Sequence, residues 1–520
     1  MIPPLHHAAT PAAAREAKRL AEFRELRARG ALCTTVTEQM AMDAAEGFLE
    51  AAQATGEYLA DAVTLLAEIG TLEEPCLSEP GQRATFPLLV EQLSDSFDPQ
   101  ACHLYDRAFA QMIFICRALP AGRELDAGLR RFGLQTESDF LARKERLRRR
   151  GPWRDTAAQR DVRKVLVLSR VTLGADVAVT SVVLQKAQAL FLAAERVLLG
   201  PSKLHELFGG DASLHIRGIA YPPGGTLLER LLSWQDVLAA VEEETRGLQL
   251  QEYVLLDPDS RLLQLGMLPA LAEESSYFFF ESRRYGATSE RSISELTLDW
   301  LNETLGGEDR FLPHVWLREQ DAVMGDRMCR KLRASGAQPV IAVSLGVGGN
   351  ESKRIQDRFE ERLLLGLLQA GCTVLLDKGT GEGELARANR RATAVQKRGW
   401  PVEHADATSV LALLARNDAL DCRLLTWQGE IGAWSGLIAA SDQFIGYDSA
   451  GQHIAAALGV PTIDIFTRSA APLFRQRWHP TGPGVAHIVV EEGGKEAAAN
   501  EVLERVMQAH RENRSERGRA

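Results

Sequence analysis

A polar turn between two apolar runs carries residues that could bind a phosphate group. The stretch Ser441–Phe466 reads SDQFIGYDSAGQHIAAALGVPTIDIF. Its apolar runs predict two strands, and the segment His453–Leu458 between them predicts a helix. In such a parallel crossover unit, ligands bind outside the carboxyl ends of the strands, against the amino terminus of the helix. The N–H groups of Ser449, Gly451 and Gln452 would be available there, which suits a phosphate or diphosphate.

A glycine-rich loop that ends in a lysine is a second candidate for phosphate binding. It runs from Gly346 through Gly348 to Lys353 and follows the predicted strand Val340–Ser344. Glycines let the main chain approach a phosphate closely, and an ammonium group offsets the negative charge of a phosphate. The alternative is a flexible turn followed by a solvated Lys-Arg pair, and a glycine-rich loop alone is weak evidence for phosphate binding. The loop also lacks the residue order of a P-loop.

A carboxylate that follows the predicted strand Val165–Ser169 could act as a general base. The loop Arg170–Asp176 reads RVTLGAD and leaves this strand at its carboxyl end. A carboxylate at the carboxyl end of a strand could accept a proton from a substrate hydroxyl. The alternative is that Asp176 caps the next helix, where aspartate is a favoured residue.

These three segments together resemble glycosyltransferase family 9, the ADP-heptose:lipopolysaccharide heptosyltransferases. The run DSAGQH at 448–453 resembles the Asp-(Thr/Ser)-Gly-x-x-His signature of the family, with Ala450 in place of glycine. The segment that ends at Asp176 resembles the opening strand and Ser-(Leu/Met)-Gly-Asp loop of the family, with Ala175 as an extra residue before the aspartate. The loop that ends at Lys353 resembles the Gly-containing loop and lysine at the mouth of the donor site.

The resemblance covers about residues 164–490 and implies a GT-B glycosyltransferase with two Rossmann-like domains facing across a cleft. It implies an inverting transfer without bound metal or cofactor, from a nucleotide-diphosphate sugar, with ADP-heptose as the expected donor. The acceptor would be a glycan or a lipid-linked, lipopolysaccharide-type molecule. Asp176 would then be the base, and Lys353 would stabilise the leaving diphosphate. The donor-binding residues so implied are Gly346, Gly348, Asp448, Ser449, Ala450, Gly451, Gln452 and His453.

Three residues of the signature turn also have a structural alternative. Ser449 could cap the helix rather than bind a phosphate oxygen. Asp448, at the end of a predicted strand, could organise the turn. His453 could pack as a buried histidine. The sequence alone leaves these alternatives open.

Polar residues after another predicted strand, Tyr253–Leu256, could line an acceptor pocket. Asp257 and Arg261 are the candidates for acceptor-side contacts. A turn rich in aspartate and proline needs no such role, and the turn ranks first. The Asp-Pro-Asp sequence of this turn is therefore not interpreted as a metal-binding motif, and no metal ligand is predicted.

Two other functions remain compatible with the predicted architecture. One is a nucleotide-sugar epimerase or a transferase with another donor, since this architecture serves several chemistries. The other is a non-catalytic protein that binds sugar nucleotides or glycans. Ala175 and Ala450, the two departures from the family pattern, keep the non-catalytic alternative open.

The elements that must position these residues alternate between predicted strands and helices from Lys164 onward, which indicates parallel sheets and the α/β class. Before that point, helical spacing such as that of Ala41, Ala45 and Phe48 predicts an all-α extension. The predicted division is a helical accessory domain at 1–160, an acceptor-side Rossmann-like domain at 161–335, a nucleotide-sugar donor domain at 336–495 and a polar C-terminal tail at 496–520.

Composition argues against some classes of partner. The net charge of −10, from 60 basic and 70 acidic residues, argues against a general nucleic-acid binder. The seven cysteines show no paired spacing for zinc or redox chemistry and fit a reducing compartment. The sequence shows no signal peptide and no apolar run of about 20 residues, so we predict a cytoplasmic protein.

One basic stretch could contact an anionic surface. Residues 141–164 hold ten lysines and arginines against three acidic residues. A solvated helix and linker is the first interpretation. The alternative is peripheral contact with an anionic membrane, at its inner face, or with a phosphorylated acceptor.

Overall fold

A computed structural model describes residues 10–153, 155–222, 225–334, 336, 339–348, 350–416, 420–467, 472–491 and 496–517. Across these residues the chain forms one sheet of five strands and one of seven. The predicted α/β class, with two parallel sheets and a helix-rich N-terminal region, is confirmed. The strands are β1 Lys164–Leu168, β2 Glu195–Gly200, β3 Leu214–Gly218, β4 Tyr253–Asp257, β5 Tyr277–Phe279, β6 Val340–Ser344, β7 Thr373–Asp377, β8 Val402–Asp406, β9 Leu424–Gln428, β10 Gln443–Tyr447, β11 Thr462–Phe466 and β12 Ala486–Val490.

Helices fill most of the remaining described chain. They are α1 Pro11–Ala28, α2 Thr34–Thr55, α3 Ala60–Gly70, α4 Pro75–Arg83, α5 Glu91–Asp95, α6 Pro99–Ala118, α7 Arg123–Arg131, α8 Glu137–Arg148, α9 Thr156–Arg160, α10 Leu173–Ala175, α11 Ser181–Leu190, α12 Leu204–Phe208, α13 Leu227–Leu232, α14 Trp234–Glu244, α15 Ile293–Leu305, α16 Glu319–Arg333, α17 Asp357–Gln369, α18 Glu382–Lys397, α19 Val410–Ala415, α20 Ile431–Ala439, α21 Ala450–Ala457, α22 Pro472–Trp478 and α23 Glu496–Arg517.

The chain divides into two compact units, each made of two separate segments. The first unit joins Met1–Gly151 to Ile219–Ser289, and the second joins Pro152–Gly218 to Glu290–Ala520. The first unit therefore contains α1–α8 with α13, α14, β4 and β5, and the second contains the other elements. The predicted domain boundaries at residues 160, 335 and 495 follow the order of the chain and stay a prediction.

Within the first unit, the N-terminal helices bury one apolar face each. In α2, Ala41, Ala45 and Phe48 are fully buried, as the helical spacing predicts. In α6, Ala108 and Met112 are buried in the same way. Burial of one apolar stripe per helix stabilises these helices, since most helical stability in proteins comes from packing of an apolar face and not from intrinsic propensity.

The part of the basic run 141–164 that belongs to α8 and to the residues directly after it makes contacts within the first unit. The Lys144 ammonium is buried, and it lies 2.5 Å from the Asp106 carboxylate and 3.3 Å from that of Glu281. The Arg150 guanidinium donates to main-chain carbonyl groups just before β5. The solvated helix expected from the sequence is therefore an incomplete description, because Lys144 and Arg150 make contacts that stabilise the fold.

The second unit contains the seven-stranded sheet, in the order β12-β11-β10-β6-β7-β9-β8. Every pairing that connects these strands is parallel. Helices α17, α18 and α23 cover one face of the sheet, and their apolar side chains form a common core with alternate strand residues. Strands buried on both faces read as continuous apolar runs, which is why β6, β7 and β11 could be predicted.

Two helices of the second unit pack with their main chains in direct contact. A side chain added at Gly325 in α16 would lie 2.0 Å from the carbonyl oxygen of Gly436 in α20. A side chain added at Gly436 would lie 2.0 Å from the carbonyl oxygen of Asp321. Glycine allows this close approach because it has no Cβ. Helix α20 also contacts α21, so this pair supports the helix of the signature turn.

The C-terminal segment is a helix where a polar tail was expected. Along α23, Ala499, Val502, Val506 and Ala509 recur at helical spacing and are buried in the core. This apolar stripe lies among many charged residues, so the composition of the segment did not reveal a helix with a buried face. Neither this helix nor any other in the described part of the chain is long and apolar enough to cross a bilayer.

Candidate functional site

The Asp176 carboxylate is enclosed by its own loop. Its side chain is fully buried, and Oδ1 accepts hydrogen bonds from the Arg170 N–H (2.7 Å) and the Thr180 hydroxyl (2.8 Å). Oδ2 accepts a hydrogen bond from the Ser169 hydroxyl at 2.9 Å. Burial raises the pKa of Asp176 to about 6, although these donors act in the opposite direction. The carboxylate is thus oriented by three donors and is poised to titrate near neutral pH.

The extra residue Ala175 coincides with an unusual helical turn. Residues Asp176–Thr180 form a π turn, in which the Ser181 N–H donates to the Asp176 carbonyl. Such a turn holds one more residue than an α-helical turn, and π turns occur frequently at functional sites. Just before it, Val171 has a φ of +71°, a strained conformation for a β-branched residue. The π turn thus lies directly after Ala175, between the end of β1 and the start of α11.

The loop that ends at Asp176 lies against the start of α21, within the second unit. A side chain added at Gly174 would lie 3.1 Å from the His453 ring and 3.2 Å from the Ala450 Cα. The loop can approach this closely because residue 174 has no side chain. The structure thus brings together two of the three predicted segments, which are more than 270 residues apart in the chain.

The third predicted segment reaches the same turn through an ion pair. Lys353 Nζ lies 2.7 Å from Asp448 Oδ2, and the Gln452 side-chain amide donates to Asp448 Oδ1 at 2.8 Å. The Lys353 side chain keeps 30% of its surface exposed, whereas that of Asp448 keeps 9%. Asp448 therefore organises the turn, as its structural alternative proposed, and it also holds the ammonium group beside the signature turn.

His453 is buried in the first part of α21. Burial lowers the pKa of His453 to about 4, and the adjacent Asp448 acts in the opposite direction. Its Nε2 lies 3.4 Å from the side-chain nitrogen of Gln452, and its ring meets the Trp478 ring edge-on at 6.0 Å. These contacts are those of a neutral, packed histidine, the structural alternative for this residue.

The start of α21 leaves main-chain N–H groups without helical partners. Ser449 precedes the helix, and its side chain makes no capping hydrogen bond. Ala450 is the first helical residue and is not among the residues with positive φ, so alanine fits there in place of glycine without strain. A side chain added at Gly451 would lie 2.7 Å from the Phe444 ring, so this glycine lets the helix approach the sheet.

A carboxylate of the chain itself occupies the glycine-rich loop. Oε1 of Glu384 accepts hydrogen bonds from the N–H groups of Val347 (3.0 Å) and Gly348 (3.2 Å). A side chain added at Gly346 would lie 2.9 Å from the same oxygen, and one at Gly379 would meet the other oxygen. The predicted phosphate contacts at Gly346 and Gly348 therefore require displacement of Glu384.

Removing this carboxylate should loosen the glycine-rich loop. In Glu384→Ala the Val347 and Gly348 amides lose a charged acceptor, a type of bond that contributes about 1.5–3 kcal/mol. Their exchange with deuterium should accelerate by about tenfold or more if the loop opens locally. Hydrogen-exchange mass spectrometry of a peptide that spans the loop measures this. Glu382→Ala, an exposed residue of the same helical turn, is the matched control, and equal exchange in both variants would contradict the assignment.

A row of register partners crosses the sheet near the carboxyl ends of its central strands. Asp377 pairs with Ser344, Ser344 with Gly446, and Gly446 with Asp464. The Ser344 hydroxyl donates to Asp377 at 3.1 Å, and burial raises the pKa of Asp377 to about 6. Asp464 is fully buried, and the sequence analysis assigned it no role. The available signal was one ionisable residue inside the apolar run Thr462–Phe466.

The two acceptor-side candidates belong to the first unit. The Asp257 carboxylate is fully buried and accepts hydrogen bonds from the Tyr277 hydroxyl and, at 2.7 Å, from the Ser260 N–H. Burial raises the pKa of Asp257 to about 7. Arg261 is exposed in the turn that follows. Asp257 thus stabilises a turn, the role that ranked first on the sequence, and contact with an acceptor stays a prediction.

Sequence comparison identifies the relatives of the second unit. Residues 326–506 match the sequence model of glycosyltransferase family 9 (heptosyltransferase). The matched segment contains Lys353 and the turn 448–453. The predicted family resemblance and the predicted class of enzyme, a glycosyltransferase, are confirmed by this match. A search of curated proteins finds no match for the chain.

Similar solved structures include a glycosyltransferase family 9 protein from Veillonella parvula, at 13% identity and a TM-score of 0.49, covering 68% of this chain and 98% of that one. ADP-heptose lipopolysaccharide heptosyltransferase II from E. coli is 15% identical with a TM-score of 0.43, covering 66% of this chain and 98% of that one. The E. coli heptosyltransferase WaaC with ADP is 13% identical with a TM-score of 0.42, covering 66% and 99%.

Proposed function

We propose that this chain, whose residues 326–506 match glycosyltransferase family 9, transfers a heptose from ADP-heptose to an acceptor hydroxyl. The observation that carries the proposal is the Lys353–Asp448 ion pair at the start of α21, inside the segment that matches the family. It places a partly exposed ammonium group beside main-chain N–H groups that have no helical partner. Such an arrangement suits a diphosphate.

In the proposed reaction, the second unit stabilises the nucleoside diphosphate as it leaves the sugar. Lys353 would stabilise the negative charge that develops on the diphosphate, because a preorganised cation lowers the energy of that charge in the transition state. Ser449 and the N–H groups of Gly451 and Gln452 would donate hydrogen bonds to phosphate oxygens. The transfer would be inverting and would need no bound metal, with the ammonium and N–H groups supplying the positive charge.

Asp176 is the proposed general base. An ionised carboxylate can accept about four hydrogen bonds, and donors among the described residues use three, which leaves one position on Oδ2 for an acceptor hydroxyl. A base with a pKa near the working pH is effective in proton transfer. Because the carboxylate is enclosed, the loop Arg170–Ala175 would have to move before the acceptor hydroxyl could reach it.

We infer that the acceptor is a glycan or a lipid-linked molecule of the lipopolysaccharide type. Such an acceptor would bring the protein to the inner face of a membrane, from the cytoplasm. Arg146 and Arg149 of the basic run keep 64% and 74% of their side-chain surface exposed. These two cations could contact anionic lipid headgroups, each favouring binding by about 1 kcal/mol near such a surface.

A non-catalytic protein that binds sugar nucleotides is the second candidate. The enclosure of Asp176 favours it, because a base that cannot reach an acceptor would leave a donor site without chemistry. This candidate keeps the same diphosphate site at Lys353. The two functions therefore differ in turnover and share the binding of the donor.

Donor binding and turnover can be separated in one experiment. A panel of nucleotide sugars is added to the full chain, and the melting temperature and the release of free nucleoside diphosphate are both measured. ADP-heptose at 100 times its Kd should stabilise the fold by about 2.7 kcal/mol. Release of ADP that depends on a glycan acceptor would support the transferase. Stabilisation without release would support the binding protein, and no stabilisation by any donor would contradict both.

A further inference from the structure

Asp464 is a carboxylate in the middle of a buried strand. It is the central residue of β11 and its side chain is fully buried. Among the described residues, no donor makes a hydrogen bond of good geometry to either carboxylate oxygen, and the adjacent Ile465 N–H interacts with the group only weakly. Its register partners on the two neighbouring strands, Gly446 and Ile488, have no polar side chain. An ionised carboxylate with so little hydrogen bonding is strongly disfavoured in such a place, so this environment favours the neutral acid.

The buried acid lies close to the Lys353–Asp448 pair. Asp448 is two residues beyond Gly446, the register partner of Asp464, and directly follows the end of β10, near enough for its charge to act on Asp464. Burial raises the pKa of Asp464 well above its usual range, the Asp448 charge adds to this effect, and Lys353 opposes it.

The other elements packed against β11 bring no further compensating charge among the described residues. Helix α21 contributes Gln452, which is uncharged, and His453, whose pKa burial lowers to about 4. Helix α23 contacts the opposite face of the sheet through apolar residues such as Val502 and Val506. With Asp464 protonated, the local charges of Lys353 and Asp448 cancel, whereas ionised Asp464 would add one negative charge without a partner.

We propose that Asp464 is a positioning residue that keeps a proton beside the Lys353–Asp448 pair, and that the diphosphate of the donor binds tightly only while this proton is held. The inference rests on the proposed function, because it takes Lys353 as the group that receives the diphosphate. Two ionised carboxylates would compete with the diphosphate for one ammonium group. One neutral acid removes that competition and leaves Lys353 available to a nucleoside diphosphate.

The test is the pH dependence of ADP binding. The Kd of ADP for the full-length protein is measured by calorimetry between pH 7 and 9.5, where the phosphates of ADP are already ionised. If one proton is linked to binding, the Kd of the wild type should rise by up to about tenfold per pH unit once Asp464 begins to ionise. Asp464→Asn, a neutral isostere, should bind ADP with a Kd that stays nearly constant.

A matched control separates this effect from general loss of structure. Asp442, which pairs with Arg333 at 2.8 Å next to the amino-terminal end of β10, is replaced by asparagine and should keep the wild-type pH profile. Should Asp464→Asn fail to fold, Asp464→Thr provides the same comparison with another neutral side chain. Identical pH profiles for the wild type and the neutral variant would overturn the proposal.

A measurement without ligand keeps the inference distinct from the proposed function. Because the folded pKa of Asp464 lies above the unfolded value, its effect favours the fold below about pH 4, and this advantage is lost as the pH rises toward the folded pKa. The melting temperature of Asp464→Asn should therefore exceed that of the wild type increasingly as the pH rises. If the wild type binds no ADP, the proposed function fails. If the two melting temperatures change in parallel with pH, the buried proton is excluded.

Discussion

Replacing Asp176 with asparagine is expected to lower the rate constant of sugar transfer by about 10²–10⁴-fold, the usual contribution of a positioned general base. Asparagine keeps the size of the side chain but cannot take a proton. The Kd of the donor should stay within about twofold, because the carboxylate does not contact the diphosphate in the proposed reaction. Steady-state kinetics with ADP-heptose and a glycan acceptor, together with calorimetry, measures both quantities.

The pH profile gives this prediction a specific sign. The base must be ionised to act, and burial raises the pKa of Asp176 to about 6. In the wild type, kcat/KM should therefore fall by about tenfold per pH unit below that value. Asp326→Asn, an exposed residue of α16, is the control and should behave as the wild type. A normal rate in Asp176→Asn would assign this carboxylate to the structure of the loop alone.

Removing the ammonium group of Lys353 should abolish tight binding of nucleoside diphosphates. Hydrogen bonds to charged groups contribute about 1.5–3 kcal/mol, so the Kd of ADP should rise by about 10–150-fold in Lys353→Ala. The buried Asp448 carboxylate would also lose its cation and would repel the incoming phosphates. Calorimetric titration with ADP measures the change in Kd.

Lys331→Ala is the matched control for this experiment. Lys331 is on α16 in the same unit, and its ammonium group donates to the main-chain carbonyl of Arg416. Its removal should leave the Kd of ADP unchanged. An unchanged Kd in Lys353→Ala as well, in a protein with the wild-type melting temperature, would place the diphosphate elsewhere.

The strands that the sequence could predict are those with continuous apolar runs. β1, β6 and β11 lie inside their sheets and are buried on both faces, so nearly every residue is apolar. β8, with the sequence VEHAD, was missed because it is the edge strand of the seven-stranded sheet and is only partly buried. A strand with one exposed side need not show an apolar run, and its polar residues conceal it.

The site shows a similar division between local and distant information. The turn that contains Asp448 could be found from the sequence, because strand, turn and helix follow each other directly in the chain. The hydrogen bonds of the glycine-rich loop to Glu384 could not be found from the sequence, since this carboxylate belongs to the first turn of α18, farther along the chain. Asp464 was visible as an aspartate in an apolar run, but only the register of β11 against β10 shows which groups it neighbours.

The wide turn at Asp176–Thr180 also bears on how chains of this kind can vary in length. An extra residue in an α-helix would rotate everything after it by about 100° and turn its apolar side away from the sheet. Here a widened turn lies directly after Ala175, and Val183 and Ala187 farther along are buried. A gain or loss of one residue at this point can therefore re-aim the carboxylate while the interior beyond it keeps its packing.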